Sequence, residues 1–198
     1  MLRHSRLLIA VGALALVSVP AMAQHAMGAK HELGIDLSAY YASYSLGGVS
    51  VHNLNFGAPV DVRIGFMSQK KMNFEGRLAF NFHSAYSGGS SWYGFAPQVN
   101  VLWPMGKAKA RNDNKYFTAG IGLNVSHNAG VDGMVPIGGC ASTSCSQIQF
   151  NGGVGMRSPW ESGAYRLEAF LLYGLKSTSK GVPTTLAIGA RVGASLWH

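Results

Sequence analysis

The chain has 198 residues, of which 12% are charged and 47% are hydrophobic, and its formal net charge is +8. Average soluble domains carry about 25% charged residues, so this composition argues against a disordered chain and against the surface of a typical soluble enzyme. The 26 glycines follow no three-residue period, which excludes collagen, and the length fits one domain of moderate size.

The first 23 residues are predicted to be a signal peptide rather than part of the fold. A basic start precedes an apolar run from Leu7 to Val19, which is too short to span a bilayer comfortably. Ala21-Met22-Ala23 then offers the small-x-small pattern of a cleavage site. We expect cleavage after Ala23, which leaves residues 24–198 as one mature domain; an uncleaved membrane anchor is the alternative.

Eight segments of about ten residues alternate apolar and polar side chains, and no long segment shows the stripe of an amphipathic helix. Alternation with period two is typical of β-strands that have one apolar face and one polar face. In chain order, the predicted strands run near Glu32–Tyr41, Val60–Met67, Met72–His83, Tyr93–Trp103, Phe117–Ser126, Gln147–Arg157, Tyr165–Lys176 and Thr185–Leu196.

Every charged residue within these strands falls on the polar face. In the seventh strand, a slip of one residue would move Arg166 and Glu168 to the apolar face. The free-energy cost of placing charged side chains on that face fixes the register. The predicted set of inward charges is balanced, with four acids and four bases. It consists of Asp36, Asp61, Arg63, Glu75, Arg77, Arg166, Glu168 and Arg191.

The composition of the polar face indicates that it points inward and that the apolar face contacts lipid. Gly, Ser, Thr, Asn and Gln dominate this face, and they suit a narrow, hydrogen-bonded interior better than a water-exposed surface. Aromatic residues also collect near the strand ends, as in an interfacial girdle, although ordinary core packing would explain them too. They are Tyr41, Tyr44, Trp92, Tyr93, Trp103, Tyr116, Tyr165 and Tyr173.

The lengths of the connections agree with a transmembrane barrel whose N-terminus lies in the periplasm. Two of the expected outer loops are the longest connections in the chain, as is usual for such barrels. The expected inner turns are Ser68–Lys71, Pro104–Lys115 and Ser158–Ala164, and the expected outer loops are Ala42–Pro59, Ser84–Trp92, His127–Ser146 and Ser177–Thr184.

The chain has two cysteines, Cys140 and Cys145, which are separated by four residues. In an oxidising compartment we expect them to form one local disulfide in the third outer loop, with a metal-binding pair as the alternative. The enclosed loop is short, so the bond would contribute roughly 2 kcal/mol and would fix the loop rather than the fold.

The strand pattern from Glu32 to His198 resembles the small eight-stranded outer-membrane barrels of the OmpA/OmpX type. The resemblance implies an all-β, antiparallel up-and-down transmembrane β-barrel in the outer membrane of a Gram-negative bacterium, with an aromatic residue ending the last strand. Here the aromatic residue is penultimate, and Trp197 falls on the inward parity, which leaves the register of the last strand open by one residue. Pro97 inside the fourth strand predicts a β-bulge, because a closed sheet has no edge to hold it.

An eight-stranded barrel is just wide enough for side chains, and Phe170 and Leu172 are expected to point into it beside the charges. The sequence therefore predicts a plugged barrel with an internal salt-bridge network. Its expected role is structural or surface-interacting, and its expected state is a monomer. A narrow channel that uses the inward charges as an ion path is one alternative.

A lipid A-modifying enzyme with a Ser/His site at the outer rim is the other alternative. Its candidate residues are Ser126, His127 and His83, with Asp132 as an acid that would orient the histidine. The pattern is loosely similar to the lipid A deacylases, but their His-x-Ser order differs from the adjacent Ser126 and His127. We expect no metal site, although His52, His83 and His127 could meet at this rim.

A basic cluster lies in the second inner turn. We interpret it as solvated turn charge, with attraction to anionic envelope polymers as the alternative. The cluster contains no aromatic residue for base stacking, so we expect no nucleic-acid binding, and we also expect no cofactor. The cluster consists of Lys107, Lys109, Arg111 and Lys115.

The expected partners are outer-membrane lipid and lipopolysaccharide, with a surface ligand at the outer loops.

Overall fold

The computed structural model describes residues 31–66, 72–83, 91–105, 115–127, 144–160, 162–177 and 181–197. Each strand pairs antiparallel with the next strand along the chain, and the last strand pairs with the first, which closes the sheet into a barrel. The predicted all-β, eight-stranded barrel is therefore confirmed. The strands are β1 (His31–Leu46), β2 (Val49–Phe66), β3 (Asn73–His83), β4 (Trp92–Pro104), β5 (Lys115–His127), β6 (Ser144–Trp160), β7 (Gly163–Gly174) and β8 (Thr184–Trp197).

The faces of the barrel are reversed relative to those of a soluble barrel. Along β1, the side chains of Leu33, Ile35 and Leu37 are exposed, whereas Glu32 and Asp36 on the opposite face are buried. The same alternation runs along β7, from Ala164 to Gly174. An apolar exterior around a polar interior is the arrangement of transmembrane barrels, so the predicted direction of the two faces is confirmed. The described residues contain no helix that is long and apolar enough to cross a membrane.

The aromatic residues near the strand ends do not all belong to one girdle. Tyr44 and Tyr116 are both only 1% exposed, because they have the parity of inward-facing residues on β1 and β5. Their assignment to the girdle was wrong, since proximity to a strand end does not override the period of two. Trp92 is half-buried. The outward-facing members are Tyr41, Tyr93, Trp103, Tyr165 and Tyr173.

The first outer connection is a tight turn. The prediction of a long loop over Ala42–Pro59 is therefore wrong. β1 continues to Leu46 and β2 begins at Val49, so Gly47 and Gly48 make the whole turn. Both glycines have positive φ values, 60° and 85°, which glycine adopts without steric cost. The apolar–polar alternation of the sequence stops at Tyr41, because the outward positions beyond it are serines. The strand itself continues to Leu46.

The β-bulge predicted at Pro97 in β4 does not form. At Pro97 the register to β3 and to β5 does not shift; the ladder to β5 simply omits Ala96 and Pro97, so the predicted bulge is absent there. The irregularity lies on β2 instead, where residues 57–59 stand opposite Ser38 alone. Proline has no backbone N–H group, so the pairing with one neighbouring strand is interrupted at Pro97. The strand does not contain an extra residue there.

The last strand keeps the register that simple alternation gives. Trp197 pairs with Glu32 and is buried at 8% exposure, so the penultimate aromatic residue points into the barrel. The pairing of β8 with β1 continues without a shift up to Ser45 and Thr184. The one-residue ambiguity at the C-terminus is therefore resolved in favour of the inward position. The predicted signal peptide lies outside the described residues and stays a prediction.

Candidate functional site

Ten charged side chains form one layer inside the barrel, close to the end at which β1 begins. We call them the charged layer, and we call that end of the barrel the inner end. Each member is at most 6% exposed, and acids and bases are equal in number. The layer contains all eight predicted inward charges, together with Glu32 and Arg157. Its members are Glu32, Asp36, Asp61, Arg63, Glu75, Arg77, Arg157, Arg166, Glu168 and Arg191.

Arg63 and Arg77 connect the first three strands of the layer. Arg63 bonds to Glu32, and its Nε donates to Asp36 Oδ2 over 2.8 Å. Arg77 Nη2 lies 2.9 Å from Glu75 Oε1, and its Nη1 lies 3.2 Å from Asp61 Oδ2. Because the two arginines also approach shared carboxylates, they form one network rather than separate pairs.

Arg166 and Arg191 extend the network across the barrel. Arg166 on β7 bonds to Glu75 on β3 and to Glu168 on its own strand. Arg191 Nη1 donates to Glu168 Oε1 over 2.8 Å, and its Nε lies 3.2 Å from Asp61 Oδ2. Every acid of the layer therefore contacts at least two arginines, as buried carboxylates require if they are to stay charged.

Three members of the network, Glu32, Arg157 and Tyr116, were not in the predicted set of inward charges, although Arg157 was placed on the polar face of the sixth strand. Glu32 receives a 2.9 Å hydrogen bond from Arg157 Nη2, and the hydroxyl of Tyr116 donates to Glu168 Oε2 over 3.0 Å. The guanidinium carbons of Arg157 and Arg166 lie 5.0 Å and 4.9 Å from the centre of the Tyr116 ring, within cation–π range. All three residues have inward parity, so the period-two rule, applied to the ends of the strands, would have found them.

Glycines on the inner face make room for these long side chains. A Cβ at Gly34 would stand 2.6 Å from the guanidinium carbon of Arg63. A Cβ at Gly155 would overlap the ring of Tyr116, and one at Gly193 would overlap the carboxylate of Asp36. The small-residue composition of the polar face is thus a packing requirement of a narrow, filled interior.

The outer half of the interior is filled by uncharged side chains. Tyr40, Tyr44, Phe170 and Leu172 form a buried cluster with two alanines. Beside it, Gln147 Nε2 donates to the carbonyl oxygen of Pro183 over 2.7 Å. The predicted inward direction of Phe170 and Leu172 agrees with this cluster. Side chains that lined a wide aqueous pore would be exposed to solvent, and these are not.

The outer rim does not bring Ser126 and His127 together as a nucleophile and its base. Ser126 is buried inside the barrel, with its Oγ 3.2 Å from Cys145 Sγ. His127 faces outward, stacks on Tyr93 at 5.2 Å, and has its Nδ1 2.6 Å from Ser144 Oγ. Adjacent residues of a strand point to opposite faces, which is why this pair cannot act jointly.

The other rim candidates are only partly within the described structure. His52 stacks on Tyr41, with ring centres 5.8 Å apart. The side chain of His83 and the whole of Asp132 lie outside what the structure describes. Among the described residues, no group of three His, Cys, Asp or Glu side chains is placed to hold a metal ion. Cys140 also lies outside the described residues, so its disulfide with Cys145 stays a prediction.

Comparison with known proteins supports the fold. No family model and no curated protein sequence matches the chain. Neisserial surface protein A (NspA) matches with a TM-score of 0.50 and 12% identity, over 85% of this chain and 97% of that one. Ail, the attachment invasion locus protein of Yersinia pestis, matches with a TM-score of 0.45 and 12% identity, over 85% and 99%. The N-terminal β-barrel domain of Pseudomonas aeruginosa OprF matches with a TM-score of 0.37 and 10% identity, over 81% and 96%.

The likeness to NspA is one of fold alone, because the identity is only 12%. Together with the closed barrel and its apolar exterior, it confirms the expected resemblance to the small eight-stranded barrels of the OmpA/OmpX type at the level of architecture. The structure adds what the resemblance left open, namely a sealed charged layer at one end and an uncharged plug at the other.

Proposed function

We propose that the chain is an outer-membrane barrel of a Gram-negative bacterium that presents its outer hairpins to surface ligands on a rigid, closed cylinder. One observation carries this proposal: the apolar side chains face outward while an extended ion-pair network is buried inside. Such a barrel has its lowest free energy with lipid around it. The buried network supports a structural interior rather than a conducting one.

The first outer hairpin is the described element best placed for surface contact. β1 and β2 have 16 and 18 residues; β6 has 17, but its hairpin partner β5 has only 13. The outward positions Ser43 and Ser45 are polar, which places them beyond the apolar belt. On the opposite face of the hairpin, which has the inward parity of Tyr44, Val49 is 66% exposed and Val51 is 37% exposed.

Val49, Val51 and Leu46 share one face at the tip of this hairpin, because Leu46 pairs with Val49 and Tyr44 pairs with Val51. We call these three residues the tip cluster. Apolar side chains at the water-exposed end of a rigid hairpin favour contact with a partner surface, since burying them removes apolar area from water. The tight Gly47-Gly48 turn keeps the cluster in place at little entropic cost on binding.

The orientation can be tested with an epitope tag inserted at either end of the barrel. A tag between Gly47 and Gly48 should bind antibody on intact cells. A tag beside Ser162, between β6 and β7, should bind antibody only after the outer membrane is opened. The opposite pattern would place the first hairpin in the periplasm and would contradict the proposal.

The surface role can be tested with the double variant Val49→Ser and Val51→Ser. Cells that express it should adhere less to polystyrene and to a cultured epithelial layer than cells that express the natural chain. The matched control is Ser45→Thr and Ser50→Thr on the other face of the same hairpin, where Ser45 and Ser50 hydroxyls lie 2.8 Å apart. Equal adhesion of all three strains would rule out a contact role for the tip cluster.

A further inference from the structure

A groove on the outer wall runs from the inner rim into the apolar belt. It has a volume of about 460 Å³, and its lining includes Lys115, Met156, Leu167, Ala169 and Ala190. Lys115 is the first residue of β5, whereas Ala190 lies midway along β8. Neighbouring strands are about 4.8 Å apart, so the groove crosses roughly 14 Å of the barrel surface.

The floor of the groove is formed by small side chains between larger ones. Ala169 pairs directly with Ala190 on the neighbouring strand. Leu167 and Leu171 flank Ala169 at the next outward positions of β7, and both are about half exposed, at 50% and 51%. The depression therefore has an apolar floor between larger apolar side chains, and such a surface suits a lipid acyl chain.

The mouth of the groove carries a positive charge. Lys115 faces outward and is exposed, and all the acids of the described structure lie inside the barrel, where arginines bind them. No described carboxylate is therefore available to pair with this ammonium group on the outer wall. A lysine at the edge of an apolar belt extends its stem along the surface and places its charge at the headgroup level.

We propose that this groove binds one anionic phospholipid, with an acyl chain along Ala169 and Ala190 and the phosphate at Lys115. The occupant follows from the two halves of the site, since an apolar channel takes the chain and a cation at its mouth takes the phosphate. The inference depends on the barrel spanning a membrane and is independent of what the outer hairpins bind.

A second outer groove, of about 340 Å³, shows what this site has in addition. It is lined by residues of β4, β5 and β6, among them Pro97, Gly122 and Ile148, and none of its lining residues is charged. Any lipid chain can occupy such a depression without preference for its headgroup. Headgroup selectivity is therefore expected at the Lys115 groove, where the charge and the channel coincide.

The test is a lipid titration of the detergent-purified full barrel, followed by native mass spectrometry. Phosphatidylglycerol and phosphatidylcholine of the same chain length are the two probes, and inorganic phosphate is added as a competitor. The natural chain should bind phosphatidylglycerol about fivefold more tightly, as expected for one lysine near an anionic headgroup. Inorganic phosphate should not displace it, because the chain supplies part of the affinity.

Lys115→Gln should abolish this preference, whereas Lys176→Gln, which changes the exposed lysine just after β7, should leave it intact. Ala169→Leu should fill the groove and weaken the binding of both lipids, whereas Ala119→Leu on the outer face of β5 should not. Ala190→Leu serves as the second filling variant if Ala169→Leu loses its heat-modifiable gel migration. The proposal is overturned if the natural chain does not discriminate between the lipids, or if each variant and its control behave alike.

Discussion

Arg166 is the residue whose removal best tests the charged layer. It bonds to Glu75 across the barrel and to Glu168 on its own strand, and it lies over the ring of Tyr116. In Arg166→Met the layer keeps five acids but only four bases, because Arg166 is one of five buried arginines. Breaking a buried pair by removing one partner costs about 3–5 kcal/mol, since it leaves a buried charge without compensation.

The remaining contacts bound this magnitude. Glu168 keeps Arg191 at 2.8 Å, and Glu75 keeps Arg77 at 2.9 Å, so neither carboxylate is left without a partner. We therefore expect a loss of about 3 kcal/mol, at the lower end of the range. The free energy of unfolding can be measured by urea titration in detergent micelles, with tryptophan fluorescence and gel migration as independent signals.

A double variant and an exposed control make the result decisive. Arg166→Met with Glu168→Gln restores the charge balance, so its loss should be smaller than the sum of the two single losses by about 0.5–3 kcal/mol. Lys176→Met, at an exposed position, should stay within about 0.5 kcal/mol of the natural chain. A loss below about 1 kcal/mol for Arg166→Met, or strict additivity in the double variant, would refute the view that the layer is one coupled network.

Three further predictions follow from the interior and the rim. Gly155→Ala should lose about 1–3 kcal/mol in the same titration, because its methyl group would displace the Tyr116 ring, whereas Gly76→Ala, whose nearest atom is 3.9 Å away, should change little. In planar lipid bilayers the purified chain should form no large, stable channel; regular conductance steps would contradict a plugged interior. Alkylation of the unfolded chain should label neither cysteine before reduction and both Cys140 and Cys145 after it; labelling without a reductant would exclude the disulfide.

The strands and their faces were predictable because lipid and a narrow interior impose opposite demands on alternate residues. A charge on the outer face costs roughly 2–4 kcal/mol at mid-bilayer, and this penalty fixed the register of β7 around Arg166 and Glu168. The same rule placed all eight predicted charges in the charged layer. It failed beyond Tyr41, where the outer face leaves lipid and no longer needs apolar side chains.

The partners of each charge could not be predicted from the sequence. The contact between Arg166 and Glu75 joins residues 91 positions apart, and that between Arg157 and Glu32 joins residues 125 positions apart. Such pairs depend on the stagger of the strands around the closed barrel. The alternation of residues along one strand carries no information about that stagger. The position of Tyr116 beside Glu168 was hidden for the same reason, because its nearest charges come from other strands.

These long-range contacts suggest why a lipid-exposed barrel keeps so many charges inside. Arg166 on β7 reaches Glu75 on β3, and β3 and β7 are not neighbours in the sheet, so the contact crosses the interior. β4 and β5 join the layer through Asn100, which donates to Glu75, and Tyr116, which donates to Glu168.

All eight strands therefore contribute to one network that is complete only when β1 has paired with β8. An open or misregistered sheet would leave carboxylates and guanidinium groups unpaired in a poorly solvated interior, at a cost of several kcal/mol for each ion. An apolar filling would impose no such penalty on a wrong register, because apolar contacts are not directional. The charged layer thus favours the single closed arrangement over its competitors, which is a different contribution from simply adding stability.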